Sequence, residues 1–224
     1  MRLGDISVAY VELMARAVEV TGARPQAVLA QYQLDEIKLA SPDARISIPR
    51  FMRMGHACIQ EFSMPWLGLE MGRLTSPPAM GLAGLLAQSA ADIRSACRAL
   101  TEYELLSSFN ARGRSQFLLE KGRGVAQFYS ISPYNEYNLF VVDSVLSGWN
   151  RFMQLLSGRH DLLARVEFEF SAPAYRERYS DIFQCEVHFG AERNAVVLHD
   201  WALDLPVQQR CASTYSALKQ LADR

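Results

Sequence analysis

The 224-residue chain is half hydrophobic, enough to bury a substantial core, and only 21% of it is charged. Its 23 basic and 24 acidic side chains leave a formal net charge of -1, so the attraction that drives proteins onto phosphate backbones has no source here, and the chain itself is not expected to bind DNA. Glu12, Arg16 and Glu19 interrupt the opening segment MRLGDISVAYVELMARAVEV, and no run approaches the roughly 18 apolar residues of a membrane span, so neither a signal peptide nor a membrane contact is expected and the chain reads as cytosolic.

The first hundred residues read as helices. Tyr10, Val11, Met14 and Val18 recur at helical spacing, with Gly22 placed to cap the end. Pro25 suits the first turn of a short helix through Ala27, Val28 and Leu29. A third helix is expected from about Pro49, with Phe51, Met54, Cys58, Ile59 and Phe62 along one face and a stop at Pro65. Beyond PPAMGLAGLLAQSA, Ser89 and Asp92 resemble a capping box ahead of a helix carrying Ile93, Cys97 and Leu100.

The period then changes to two. RSQFLLEKGRGVAQFYSIS predicts a hairpin turning at Lys121 to Gly124, with Val125, Gln127, Tyr129 and Ile131 on one face and Ala126, Phe128 and Ser130 on the other. A long helix follows, striped by Val142, Leu146, Trp149, Met153 and Leu156 and stopped by Gly158, and it should pack across the sheet. Val166, Phe168 and Phe170 alternate with Glu167 and Glu169, as in a strand with one buried and one wet face. AYRERYSDIF is a short helix, and CEVHF and AVVLH are further strands about a turn at Glu192 to Asn194. With no repeat or flexible linker, residues 1–224 are expected to form one α+β domain, helical at the front and backed by a mostly antiparallel sheet.

The block VEFEFSAPAYRERYSDIFQCEVHFGAERNAVVLHDWALDLPV carries the most specific pattern in the chain. Val166, Phe168, Pro173, Tyr179, Phe183, Val187, Phe189, Leu203 and Pro206 stand where the N-terminal, arabinose-binding-type domain of AraC/XylS regulators has its alternating strand, Pro, Tyr, Phe, second strand and closing Leu and Pro. RISIP with PWLGLEMG, and the helix entry MGLAGLLAQSAADIRSACRALTEY, extend the likeness from about Ala15 to Leu205. The chain therefore resembles that family. The resemblance implies effector sensing and a homodimer, with promoter DNA bound only through a helix-turn-helix domain of roughly a hundred residues for which the sequence up to Arg224 leaves no room. Gly81 and Gly84, in the family-like helix entry, would let a turn or helix lie close to another element or to a ligand.

No catalytic constellation is present. His56, His160, His188 and His199 lie in different elements without metal-binding spacing, and His56 and His188 read as solvent-facing. Cys58, Cys97, Cys185 and Cys211 form no C-x-x-C pair and read as buried thiols, Cys185 sits across its strand from His188, no G-x-S-x-G occurs, and RGRSQ and KGRGV suit hairpin turns better than phosphate loops. Glu167 and Glu169 read as a solvated face. Catalytic residues, metals and cofactors are accordingly expected to be none.

The candidate ligand-binding residues are Trp66, Tyr129, Asn138, Trp149 and Arg45. Asn138 falls on the apolar side of the long helix and needs a hydrogen-bond partner, supplied either by a pocket or by the protein itself. Tyr129 faces core or cavity. Trp66 and Arg45 flank family-like segments, where a surface role is the alternative. The expected function is a sensor for a small apolar or amphipathic effector, held between the front helices and the hairpin plus long helix. The alternatives are a dimerisation module without a working pocket and a small hydrolase or isomerase.

Overall fold

The computed structural model describes residues 3–41 and 43–224. In the front half, β1 (Gly4–Ser7) leads into α1 (Ala9–Glu19), α2 (Gln26–Gln31), α3 (Glu36–Leu39), β2 (Arg45–Ser47), α4 (Ile48–Glu61) and α5 (Leu67–Arg73). A short 3-10 helix (Pro77–Met80) then enters α6 (Gly81–Ser89) and α7 (Ile93–Glu102), and a second (Glu104–Leu106) enters β3 (Ser108–Asn110). In the rear half, β4 (Gln116–Glu120) and β5 (Arg123–Phe128) precede α8 (Leu139–Ser157), β6 (Leu163–Phe168), α9 (Glu177–Phe183), β7 (Glu186–Phe189), β8 (Asn194–Leu198) and α10 (Ala212–Ala222).

The architecture is α+β, and the front is not purely helical. β2, β1 and β3 form an antiparallel sheet in which Ile6 stands opposite both Ile46 and Ser108. The rear sheet runs β4-β5-β8-β6-β7 and is antiparallel except for β6 and β7, which lie parallel on either side of the α9 connection. Its middle strand, β8, is buried throughout, because it is paired on both edges and covered on both faces.

Local chemistry explains the element ends. Gly22 takes the left-handed conformation (φ 83°) after α1, and Gly158 does the same after α8 (φ 72°) while donating to the Gln154 carbonyl at 2.8 Å. α4 stops before Pro65: Ser63 is left-handed, and Met64 N donates back to the Ile59 carbonyl at 3.0 Å. Ser89 and Asp92 divide the work expected of one capping box. Ser89 closes α6 by donating to the Leu86 carbonyl at 3.0 Å, whereas Asp92 is the N-cap of α7 and accepts from Ser95 N at 2.7 Å.

Two apolar clusters meet along α8. The rear one gathers Leu146, Phe152, Met153 and Leu156 of α8 with Val166, Phe168, Tyr179, Phe183 and Val196, and the front one gathers Val11, Met14, Val18, Phe51 and Met54 with Phe140 at the start of α8. Each fully buried Leu or Phe contributes about 1.5–3 kcal/mol. The two helices α5 and α8 pack at very short range: a Cβ on Gly68 would strike the Phe140 carbonyl, and one on Gly72 would strike Ser147 Oγ. Both positions require glycine because backbone lies against backbone.

Several readings of single residues change. Cys58 and Cys97 are buried thiols, but Cys185 is half-buried and Cys211 is exposed at the N-cap of α10. His56 is half-buried beneath Tyr137, with ring centroids 4.2 Å apart, because the loop before α8 folds over α4. Glu167 is not freely solvated: it binds Arg165 and Arg193, each at 2.7 Å, and Arg193 goes on to Glu120. Glu169 accepts from Tyr134 Oη and from Asn194 Nδ2, the latter at 2.8 Å.

Candidate functional site

A partly enclosed cavity of ≈ 100 Å³ lies where the two halves face each other. The front contributes Ile6, Tyr10, Ile48, Phe51 and Met52, with Met80, Ala83 and Leu100 from the entry to α6, from α6 itself and from α7. The rear contributes Phe128 to Ile131 from the end of the hairpin, and Val141, Ser144, Val145 and Trp149 from one face of α8. The polar wall comes largely from one stretch of chain: Glu104, Ser107, Ser108, Asn110 and Ser115. A wider surface cleft (≈ 720 Å³) between α1, α2 and α3 lacks any aromatic wall and is lined by Glu12, Arg16, Glu19 and Asp35, so it has less to hold a small organic molecule.

Each wall is held by ordinary packing. Trp149, only 9% exposed, meets Phe128 edge to face at 6.2 Å. Tyr129 lies over Gly113, where a Cβ would run into its ring. Glu104 is fixed by Ser115, whose N–H donates at 3.0 Å and whose hydroxyl donates at 2.5 Å. Burial pushes the Tyr10 phenol above its ordinary pKa, and a hydrogen bond with Ser107 opposes this, so Tyr10 stays neutral.

Of the five sequence candidates, Tyr129 and Trp149 line this cavity and three do not. Asn138 is the buried N-cap residue of α8, and its side chain is spent on the preceding loop: Nδ2 donates to the Ile131 and Pro133 carbonyls at 2.7 and 2.9 Å, while Oδ1 accepts from Asn135 N at 2.7 Å. Helical periodicity put Asn138 on the α8 stripe, whereas the helix begins one residue after it. Trp66 lies under the Arg178 guanidinium, 3.7 Å from the ring centroid, between α5 and α9. Arg45 is on β2, paired with Asp5 and donating to the Leu106 carbonyl at 3.3 Å, so it braces the turn that carries Glu104.

Sequence reasoning passed over Glu104, Ser115 and Tyr10. ELLSSFNARGRS has neither helical nor strand periodicity, and its polar residues acquire a common direction only through the pairing of β3 with β1. It also passed over a polar stripe on the far side of α8 from the cavity. Asp143, Ser147, Asn150 and Gln154 recur at helical spacing and are all buried. Asp143 accepts from Tyr179 Oη at 2.7 Å and Tyr175 Oη at 2.9 Å, yet burial still pushes its pKa up to about 7. Ser147 donates to the Asp143 carbonyl, Asn150 Nδ2 to the Ile182 carbonyl at 3.0 Å and Gln154 Nε2 to Asn150 Oδ1 at 3.4 Å, and none of the four lines the cavity.

The described residues include no group of three His, Cys, Asp or Glu side chains placed to hold a metal ion, and no helix long and apolar enough to cross a membrane. Burial pushes Cys58 up to about 11 and Cys97 up to about 12, so neither is a thiolate nucleophile near neutrality.

Comparison with known proteins places this arrangement. The chain is 24% identical over 185 residues to the Ornithine utilization regulator of Pseudomonas aeruginosa, covering 82% of this chain and 54% of that protein. The transcriptional regulator CdpR from Pseudomonas aeruginosa has the same fold, with a TM-score of 0.58 at 14% identity, over 88% of this chain and 60% of that one. The chain thus spans little more than half the length of the regulators it matches. Residues 22–207 match the family described as the arabinose-binding domain at the N-terminus of AraC transcription regulators, and the chain belongs to that family.

Proposed function

We propose that the cavity between the halves admits a small amphipathic effector and that its occupancy sets the position of α10, the helix next to any DNA-binding unit in a longer regulator. The observation that carries this reading is the cavity's lining, an aromatic and aliphatic body with a few polar groups on one wall, which is the usual make-up of a small-molecule site. A ligand shifts such a domain only through different affinities for two arrangements. The walls reach α10 directly. Ser89, at the end of α6, accepts from Cys211 N at 3.0 Å, and Tyr103, at the end of α7, accepts from Lys219 Nζ at 2.7 Å and donates to Asp223.

DNA contact then belongs to residues outside this chain, consistent with its balanced charge. A homodimer fits paired half-sites on DNA, and sedimentation at high concentration tests it: monomer alone removes this domain as the dimer contact. The decisive experiment for the site is a thermal-shift screen of small amphiphiles against the wild type and Val145→Trp, which fills the cavity. Hits that raise Tm in the wild type and not in the variant are expected; hits raising both equally would move the site elsewhere.

A further inference from the structure

We infer that the effector carries an amine or other cationic group, received by the Glu104 carboxylate beside Ser115, an inference that rests on the cavity being the effector site. The cavity lining contains one charged side chain, Glu104, and no Lys, Arg or His. Among the described residues Glu104 has no ion-pair partner: Arg45, the cation bracing the same turn, pairs with Asp5 and reaches only the Leu106 carbonyl. A half-buried carboxylate beside apolar walls and without a cation is best satisfied by hydrogen-bond donors from water or by a ligand that brings positive charge.

Geometry supports the same occupant. A carboxylate offers about four lone-pair sites, and two of those on Glu104 are taken by the Ser115 N–H and hydroxyl. The remaining two suit an ammonium, which brings three donors and no acceptor. Because Ser115 already orients the carboxylate, little freedom is lost when an ammonium arrives. Opposite this wall, Leu100, Phe128, Val145 and Trp149 offer an aliphatic and aromatic bed. An anionic amphiphile of the same shape would bring its charge to Glu104 with no cation to receive it, so the site discriminates by repulsion as well as attraction.

The test uses the whole chain and three six-carbon probes that differ only in the head group: hexylammonium, 1-hexanol and hexanoate, titrated calorimetrically near pH 7. Charge-assisted hydrogen bonding predicts that hexylammonium binds at least about tenfold more tightly than hexanol, and that hexanoate binds most weakly. Glu104→Gln is expected to bring the ammonium-to-alcohol ratio close to one. Hexanol or hexanoate binding the wild type as tightly as hexylammonium overturns the inference without recourse to any variant, and so does a preference that survives in Glu104→Gln. Val145→Trp separates this failure from failure of the site. If it blocks all three probes while the wild type shows no preference, the cavity stands and the cationic effector falls. If no probe binds the wild type, or Val145→Trp binds them undiminished, the cavity reading falls and takes this inference with it.

Discussion

The two faces of α8 solve opposite problems with the same helix. Toward α5 its first turns present Asp143, Ser147 and Gly148, and the two backbones come so close that Gly68 and Gly72 can carry no side chain, whereas Asn150 and Gln154 further along border a cleft shared with Arg73, His160 and Gln184. Toward the front half it presents Val141, Ser144, Val145 and Trp149, and there the packing stops short and leaves space. Interiors are otherwise packed at crystal-like density, so the gap beside this close contact fits the proposed effector site, with the α5–α8 contact as its frame and the gap as its receptacle. The tight face can hold α8 still while the open face changes its contents.

The strongest way to break this contrast is to overpack the frame. Gly72→Leu drives a branched side chain into Ser147 and the backbone at Gly148, and a cost of about 3 kcal/mol is expected, at the upper end for overpacking. Urea denaturation measures it, and a cost under about 1 kcal/mol would mean that the helices slide apart easily and α8 is no frame.

Asp143→Ala comes next. It strands the buried Tyr179 hydroxyl and the half-buried Tyr175 hydroxyl, at about 2 kcal/mol. Asp143 also gives the frame a pH signature. Its folded pKa of about 7 lies above the ordinary 3.8, so the native state holds a proton that the unfolded chain has released across that window. This contribution to stability is complete below about pH 4 and falls away as the pH rises to 7. Glu120 and Glu167, held below their ordinary pKa by Arg193, act with the opposite sign at lower pH, so the quantity to read is the difference between wild type and Asp143→Asn. Wild type should lose stability relative to Asp143→Asn between pH 4 and 7, and parallel curves would show that Asp143 is ionised throughout.

These features differ in how far the sequence reveals them. The apolar stripe of α8, its stop at Gly158, the β4–β5 hairpin and the alternation of β6 rest on neighbours a few residues apart, and all were readable. The β2-β1-β3 sheet was not, because strands of three and four residues are too short for a period and their pairing joins Ile6 to Ile46 and Ser108. Alternation also says nothing of direction, which is why the parallel β6–β7 pair was unforeseen. The cavity divides in the same way. Trp149 stands on a periodic helix and Tyr129 directly follows a periodic strand, so both could be named, whereas Glu104 and Ser115 become neighbours only when an aperiodic loop folds back. Asn138 shows the converse hazard, since periodicity carried one residue past a helix end turns a cap into a wall.

On the open face, truncation should cost less than in the packed rear core. Val145→Ala is expected to lower stability by about 1 kcal/mol, because part of what the side chain touches is already empty space, whereas Phe152→Ala on the same helix, fully buried, should cost about 3–5 kcal/mol. Equal losses per methylene removed would mean that the cavity collapses around its walls and is not a standing receptacle.

The smallest effect on stability is expected where the receptacle meets α10. Tyr103→Phe keeps the ring against the rear core and removes only the hydroxyl shared by Lys219 and Asp223. That junction is largely solvated, so the unfolding midpoint should shift less than for Val145→Ala. Its effect on communication should nevertheless be the greater one. Tyr103 immediately precedes Glu104, and a ligand that draws on Glu104 pulls on the residue that anchors the end of α10. With hexylammonium as the probe, hydrogen exchange along Ala212–Ala222 should change on binding in the wild type and hardly at all in Tyr103→Phe, although both bind the probe. If α10 responds equally in both, the signal travels through the Ser89–Cys211 contact at the other end of the helix instead. If α10 responds in neither, the cavity is a receptacle with no outlet, and the contrast between the two faces of α8 describes a binding site but not a switch.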